Sequence, residues 1–392
     1  MTGVFEELMI GSMKLTNRII RSATHEGFTD SNNNPNDDML ALYEKLSSGG
    51  AGAIITGYAG VRRDGMAPTP NMLMFDSDEH IEGFRKITDG IDQTKTPLIL
   101  QLVHCGRQTR GVITGHRPIA PSALKDGLYN EEKPLELTPP EIRGVIQSFA
   151  DAAERAKKAG FSGVEIHAAH GYLLSSFLSP HMNRRKDDWG GSTRNRFKIV
   201  EEIAKEIRSR IGNFPMLIKI NCFEKSRNGI KTVDAVKIAK LCESAGFDAI
   251  EVSCGIMEEG MIMCRGDIPM ETMMKTTFRF KEMSSITKAF AKPYVKMTMG
   301  SPKPLNLYNL EAATEIRKNV SIPVIVVGGI RELPDIERIV SENMCDAVSM
   351  SRPFIAEPDI INKLRNGRSS ECTNCNKCLV RAEGHTLRCY RA

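Results

Sequence analysis

A single (β/α)8 barrel is the fold this sequence predicts, and three observations predict it. Short β-rich runs recur eight times, a helical pattern separates each from the next, and most of the runs are almost continuously apolar. Parallel strands covered by helices on both faces read this way, because neither face meets water. Eight such units in 392 residues suit a closed barrel with insertions better than an open doubly wound sheet. No Gly-x-Gly-x-x-Gly follows the first strand, which also counts against a dinucleotide-binding sheet.

The chain opens on a hairpin, with Leu8 and Ile10, then Met13 and Leu15, alternating about the tight turn Gly11-Ser12. Barrel strands are expected at 18–24, 53–58, 98–104, 163–170, 216–221, 249–253, 324–328 and 347–351. Between them, helical patterns cover 37–47, 79–92, 195–210, 233–244, 308–318, 334–342 and 358–365. A further helix starts at Thr138 as N-cap, with Pro139-Pro140-Glu141 in its first turn, and stops at Gly160. Two connections are long: 171–196 after the fourth strand, and 254–306 after the sixth, which holds nine methionines. Connections of that length in a compact barrel are usually functional, and adaptable methionine suits either a substrate cap or simple core filling.

Composition is that of a water-soluble chain, 41% apolar and 26% charged. No apolar run approaches the ~20 residues needed to span a bilayer, and the N-terminus has no secretory pattern. The ten cysteines therefore read as reduced thiols or metal ligands in a cytoplasmic protein. From Lys363 onward there are seven Lys/Arg and two acids, which accounts for the whole net charge of +5. Such a tail reads first as a solvated basic segment, and otherwise suits an anionic substrate or an acidic partner protein; nucleic acid is not indicated. The expected division is a barrel over 1–366 and a basic, Cys-containing tail over 367–392, in a homo-oligomer.

Catalytic chemistry in this fold sits at the C-terminal ends of the strands. Those ends carry Thr24-His25, Tyr58, Gln101 with His104, His167 with His170, Lys219, Ser253, Gly328-Gly329 and Ser351-Arg352. His167 and His170 read either as two metal ligands or as two N–H donors aimed at one carbonyl oxygen. Tyr172, two residues on, has a phenol of pKa about 10, fit to deliver a proton. Two oxyanion donors and a proton donor describe reduction of a C=C bond conjugated to a carbonyl, with hydride supplied by a cofactor. Gly328-Gly329 lets backbone N–H groups approach a phosphate, and Arg352 offers it a bidentate fork.

The segment HAAHGYLLSSFLSPHMNRRKDDWGGSTRNR (167–196) resembles the signature of the Old Yellow Enzyme family, in particular its bacterial enoate and 2,4-dienoyl-CoA reductase branch. NRIIRSATHEG (17–27), QLVHCGRQ (101–108), APSAL (120–124), VGGI (327–330) and SRPFIAEP (351–358) support it in the right order, over roughly residues 1–370. The resemblance implies an FMN-binding barrel that takes hydride from NADH or NADPH and passes it to an enoate, enone or enoyl-CoA. It implies that Gln101 contacts the flavin pyrimidine ring and that Lys219 lies at the N1–C2 carbonyl edge. Ser22, Ala23, Thr24 and Tyr58 would line the ring system, and Gly328, Gly329, Ser351 and Arg352 the phosphate. His167 and His170 would bind the substrate carbonyl, and Tyr172 would protonate Cα. Ala23 stands where relatives often have proline, Lys219 where many have arginine, and Tyr58 where small residues are frequent, which leaves substrate choice open.

Cys372-x2-Cys375-x2-Cys378, followed by Cys389, has spacing that suits a [4Fe–4S] cluster or zinc. Larger members carry such a motif and then an FAD/NADH domain. Here the third gap is one residue shorter and the last gap slightly shorter, so a cluster, zinc and free thiols all stay open. A retained cluster would be fed by a separate electron-donor protein. Two other functions stay open as well: a flavin electron-transfer protein whose acceptor is a partner protein, and a metal-dependent barrel lyase or hydrolase using His167 and His170.

Overall fold

Runs such as Leu98–Val103 and Met216–Asn221 bury every residue, so each can exist as a strand only with helices outside it and side chains packed within. The computed structural model, which describes residues 3–69, 71–129, 133–300, 302–382 and 385–391, meets that demand with a closed barrel. Glu383, one of the two tail acids, lies outside the described residues. Eight parallel strands form it: β1 (Ile19–Arg21), β2 (Ala53–Ile55), β3 (Leu98–Val103), β4 (Gly163–Ala168), β5 (Met216–Asn221), β6 (Ala249–Ser253), β7 (Val324–Val327) and β8 (Ala347–Met350). Strand β8 pairs back onto β1, with Val348 opposite Ile19 and Met350 opposite Arg21, so no edge is left open.

The predicted hairpin forms from Leu8–Ile10 and Met13–Leu15. Its Leu8, Ile10, Met13 and Leu15 pack against Ile20, Ile55, Ile99, Leu217 and Ile325 inside the barrel. It therefore plugs the end opposite the strand C-termini. The outer helices bury one stripe each. In Pro139–Lys158, Ile142, Val145, Phe149 and Ala153 face the core. Glu141 starts that helix by accepting from the Thr138 backbone N–H and hydroxyl, each at 2.7 Å.

One expectation is corrected. The first two strands end earlier than 24 and 58, because the chain beyond them wraps a buried carboxylate. Glu26 Oε1 accepts from Arg21 Nη2 (2.7 Å), Tyr43 Oη (2.9 Å) and Gly57 N (3.1 Å). A Cβ at Gly57 would lie 1.8 Å from Glu26 Oε2, so only glycine permits this approach. The Met-rich connection, to which the sequence assigned no elements, holds helices Met270–Thr276, Phe278–Lys281 and Ser285–Thr298. Met273, Met274, Phe280 and Val295 of this cap pack with Val380 from the tail helix Lys377–Arg381. Among the described residues, no helix is long and apolar enough to cross a membrane.

Candidate active site

A charge inside a closed barrel has no water to solvate it and must find a partner. Lys219 on β5 stands opposite Glu251 on β6, and its Nζ lies 2.6 Å from Glu251 Oε2. Glu251 Oε1 also accepts from Ser22 Oγ (2.8 Å), just past β1, and from Ser349 Oγ on β8. Strands β6 and β8 are not neighbours, so these bonds cross the barrel interior. Gln101 on β3 donates from Nε2 to Glu165 on β4. Burial and the Glu251 charge push the Glu165 carboxyl well up, so it stays protonated. Burial alone would raise Glu251 as well, but the Lys219 ammonium and the two hydroxyl donors hold it down. Lys219 feels the reverse balance: burial opposes its charge, and the Glu251 carboxylate beside it outweighs burial. The outcome is one ammonium, one carboxylate and one neutral acid, sealed beneath the barrel mouth.

Above this layer, five rings form a continuous row. His25 stacks on Tyr58 with centroids 5.3 Å apart, and Tyr58 meets Tyr172 edge-on at 5.7 Å. Tyr172 meets His167 at 4.9 Å, and His167 meets His170 at 5.0 Å with the rings nearly perpendicular. The row exists because the chain turns sharply after β4. His170 adopts a left-handed φ of 66°, and its carbonyl accepts from Gln108 Nε2 at 2.9 Å. A Cβ on Gly171 would lie 2.2 Å from that same nitrogen. The His170 N–H donates to Asn221 Oδ1 (3.2 Å), and Asn221 Nδ2 donates to Glu224.

Both imidazoles are held neutral. Burial drives His167 well below the ordinary histidine value, with His170 and Lys219 adding to the effect. His170 falls to about 3, through burial and then Lys219. His167 Nδ1 accepts from the Ala169 N–H (3.3 Å), which leaves its proton on Nε2. His170 Nε2 lies 2.7 Å from Ser253 Oγ, leaving Nδ1 for an incoming oxygen. Burial, and then Tyr58, raise Tyr172 well above 10, so its proton stays on Oη.

The remaining rim residues meet at the ends of β7 and β8. Thr24 Oγ1 lies 2.7 Å from Ser351 Oγ. Gly328 and Gly329 have φ of 136° and 71°. Cβ atoms there would lie 2.7 Å from the Tyr308 ring and 2.4 Å from the Leu305 carbonyl oxygen, so the pair lets segment 305–308 rest on the strand end. Arg352 is buried, and its Nη1 donates to Arg265 O (2.9 Å) and Asn376 Oδ1 (2.7 Å). The donor set suits a flavin ring: an amide at Gln101, an ammonium at Lys219, and the backbone and hydroxyls of Ser22, Ala23 and Thr24. At the ends of β7 and β8, Gly328-Gly329 and Arg352 each have the chain's own segments lying against them.

All four tail cysteines, Cys372, Cys375, Cys378 and Cys389, line one crevice of about 20 Å³ against Arg352 and Ile355. Burial, and then Cys372, push the Cys378 thiol up to about 12. Among the described residues, no three His, Cys, Asp or Glu side chains are arranged to hold a metal ion, at this crevice or at the histidine pair. Sequence reasoning missed Glu165, Glu251, Ser349 and Asn376. The two glutamates did leave a signal, an acid in the middle of an apolar run in GVEIHA and AIEVS.

Compared with known proteins, the chain matches the NADH:flavin oxidoreductase / NADH oxidase family over residues 3–257 and 262–371. An NADH oxidase of Thermoanaerobacter brockii is 31% identical over 379 residues, covering 96% of this chain and 53% of the relative. An NADPH dehydrogenase of Clostridium acetobutylicum is 30% identical, covering 91% of this chain and 92% of its own. Among solved structures, a 2-naphthoyl-CoA reductase bound to 2-naphthoyl-CoA superposes with a TM-score of 0.80 at 25% identity, covering 96% of this chain and 54% of that one. The chain thus spans about half the length of the first two curated relatives it matches.

Proposed function

The chain belongs to that family, and from this premise we propose that it is an FMN-dependent reductase of C=C bonds conjugated to a carbonyl, with NADH or NADPH as hydride donor. The observation that carries the proposal is the row His170–His167–Tyr172 standing over the buried Lys219. FMN, when bound, supplies the hydride taken from the nicotinamide and delivered to the substrate Cβ. The protein's part is to hold the alkene and manage charge. His167 Nε2–H and His170 Nδ1–H donate to the carbonyl oxygen and stabilise the negative charge that grows on it. Tyr172 Oη then gives its proton to Cα. Neutral imidazoles suit this role, because an imidazolium would protonate the oxygen rather than share a hydrogen bond with it. Lys219, Gln101 and Ser22–Thr24 are the groups that would hold the ring, and Gly328, Gly329, Ser351 and Arg352 the phosphate. For the phosphate to enter, the Arg352–Asn376 contact and segment 305–308 must yield.

The test uses the protein as purified. It should carry a flavin spectrum, bleach anaerobically with NADH or NADPH, and recover its colour when an enone or enoyl thioester is added. Bleaching without recovery by any activated alkene would overturn the reading in favour of electron transfer to a protein. A colourless protein inhibited by chelators would favour a metal-dependent lyase or hydrolase.

The tail supports a separable reading, a [4Fe–4S] cluster on Cys372, Cys375, Cys378 and Cys389. Its support is that all four cysteines line one crevice. The crevice has room for about one water, so the thiols must part to admit a cluster. Iron, zinc and acid-labile sulfide are to be assayed after anaerobic purification. Iron with sulfide supports the cluster, zinc alone points to a zinc knuckle, and neither leaves four free thiols.

A further inference from the structure

Protein interiors are close-packed, and voids larger than a water molecule are few. Beneath the cap helices lies a chamber of about 540 Å³. That is far beyond a packing defect and within the roughly 300–1,000 Å³ range of small-molecule sites. Its far wall comes from the cap and the tail, with Met273, Phe280, Met283 and Val295 facing Leu379 and Val380. Its near wall adjoins the candidate active site directly. Met257 lines the chamber, and its N–H donates to the His170 carbonyl at 3.3 Å. Tyr129 also lines it, close enough to Tyr172 for the two phenols to oppose each other's ionisation. The chamber therefore begins where the conjugated carbonyl would end.

Lining chemistry narrows the occupant. The only carboxylate among the described lining residues is Glu258, and Arg107 Nη2 neutralises it at 2.7 Å. No described lysine or arginine lines the chamber, so nothing there would compensate a phosphate or a second carboxylate. Thioether side chains bend to follow an irregular apolar outline and favour aromatic rings. We infer that the cap chamber is the subsite for a bulky uncharged apolar group, aryl or extended alkyl, on the unsaturated carbonyl substrate. This rests on the proposed alkene reduction and goes beyond it by naming the substrate class. Short enoates would leave the chamber empty and gain nothing from the burial that favours larger ones.

Two measurements test the inference apart from the reaction. The first is binding of 6-propionyl-2-dimethylaminonaphthalene, a neutral fluorescent naphthyl ketone with no reducible alkene, to the purified holoenzyme. Saturable blue-shifted emission is expected, with affinity weakened roughly tenfold or more in Ala291→Phe. Met283→Trp fills the chamber from another wall and covers the case in which Ala291→Phe does not fold. The second is anaerobic flavin reoxidation by 4-phenyl-3-buten-2-one and by 3-buten-2-one. The kcat/KM ratio of the phenyl to the unsubstituted ketone should fall roughly tenfold in the filled variants. Probe binding that is absent, or equal in wild type and both variants, overturns the inference even if alkenes are reduced. Probe binding lost on filling, with no alkene accepted, upholds the chamber and overturns the reduction.

Discussion

At the scale of single residues, the decisive property of His167 and His170 is that neither can be protonated near neutral pH. His170 lies at about 3 and is neutral throughout pH 5–8, and burial drives His167 in the same direction. The donor capacity of the pair should then be constant across that range. The kcat/KM for alkene reduction is expected to show no inflection near 6.5 between pH 5 and 8. An acid limb near 6.5 that disappears in His170→Asn would contradict the neutral-donor assignment. Tyr172 acts at a single step, after hydride transfer, and its raised pKa keeps the proton available. Tyr172→Phe should slow anaerobic reoxidation by an enone by roughly a hundredfold, a usual size for a lost general acid. Flavin reduction by NADH or NADPH should stay near wild type, and equal loss in both half-reactions would show that Tyr172 is not the donor.

Elements were legible where their cause is local. The helix starting at Thr138 is set by its own capping box, and the buried strands by runs such as Val-Ile-Val-Val. Elements were misread where the cause lies elsewhere in the fold. The early ends of β1 and β2 depend on Glu26 meeting Arg21, Tyr43 and Gly57, which no window of sequence contains together. The cap helix Ser285–Thr298 carries Pro293 in its interior, a residue that argues against a helix until tertiary packing of Val295 overrides it. The turn after β4 was legible at Gly171, but its support was not, because that comes from the β5 side. Glu224 accepts from Ser179 Oγ (2.6 Å), Ile230 N (3.1 Å) and Asn221, the residue that holds the His170 N–H. Burial pushes its carboxyl up to about 7. Between 4.5 and 7 the unfolded chain ionises this group and the folded chain does not. Wild-type stability should therefore fall as pH rises through that window, by roughly 3 kcal/mol at most. Glu224→Gln removes the titration, so its Tm relative to wild type should climb from pH 5 to pH 8. A pH-independent gap between the two proteins would refute the assignment.

At the scale of the whole molecule, the strand-end residues were readable because the barrel gathers all strand ends at one mouth. Their partners were not, since contacts between distant segments leave no local pattern. Asn376 shows this most clearly. It is buried in the tail between Cys375 and Lys377, and nothing in its neighbourhood marks it. Yet its Oδ1 accepts from Arg352 just past β8, and its Nδ2 donates to the carbonyls of Cys264 (2.9 Å) and Asp267 (3.0 Å) in the cap. One side chain thus fastens tail, cap and barrel together. Asn376→Ala would strand two buried carbonyls and weaken the hold on a buried guanidinium, at roughly 1–3 kcal/mol for each group. Its left-handed φ of 57° adds about 1–2 kcal/mol for any residue with an ordinary Cβ. Spread over a chain of this size, the sum is a Tm decrease of roughly 5–13 °C. Asn376→Gly relieves the backbone part and should recover only a fraction of the loss. Limited proteolysis should cut both variants faster within 257–299, because the cap loses its fastening to the tail before the barrel opens. If both variants melt and cleave like wild type, the tail is not what holds the cap, and the chamber beneath it must be closed by the cap helices alone.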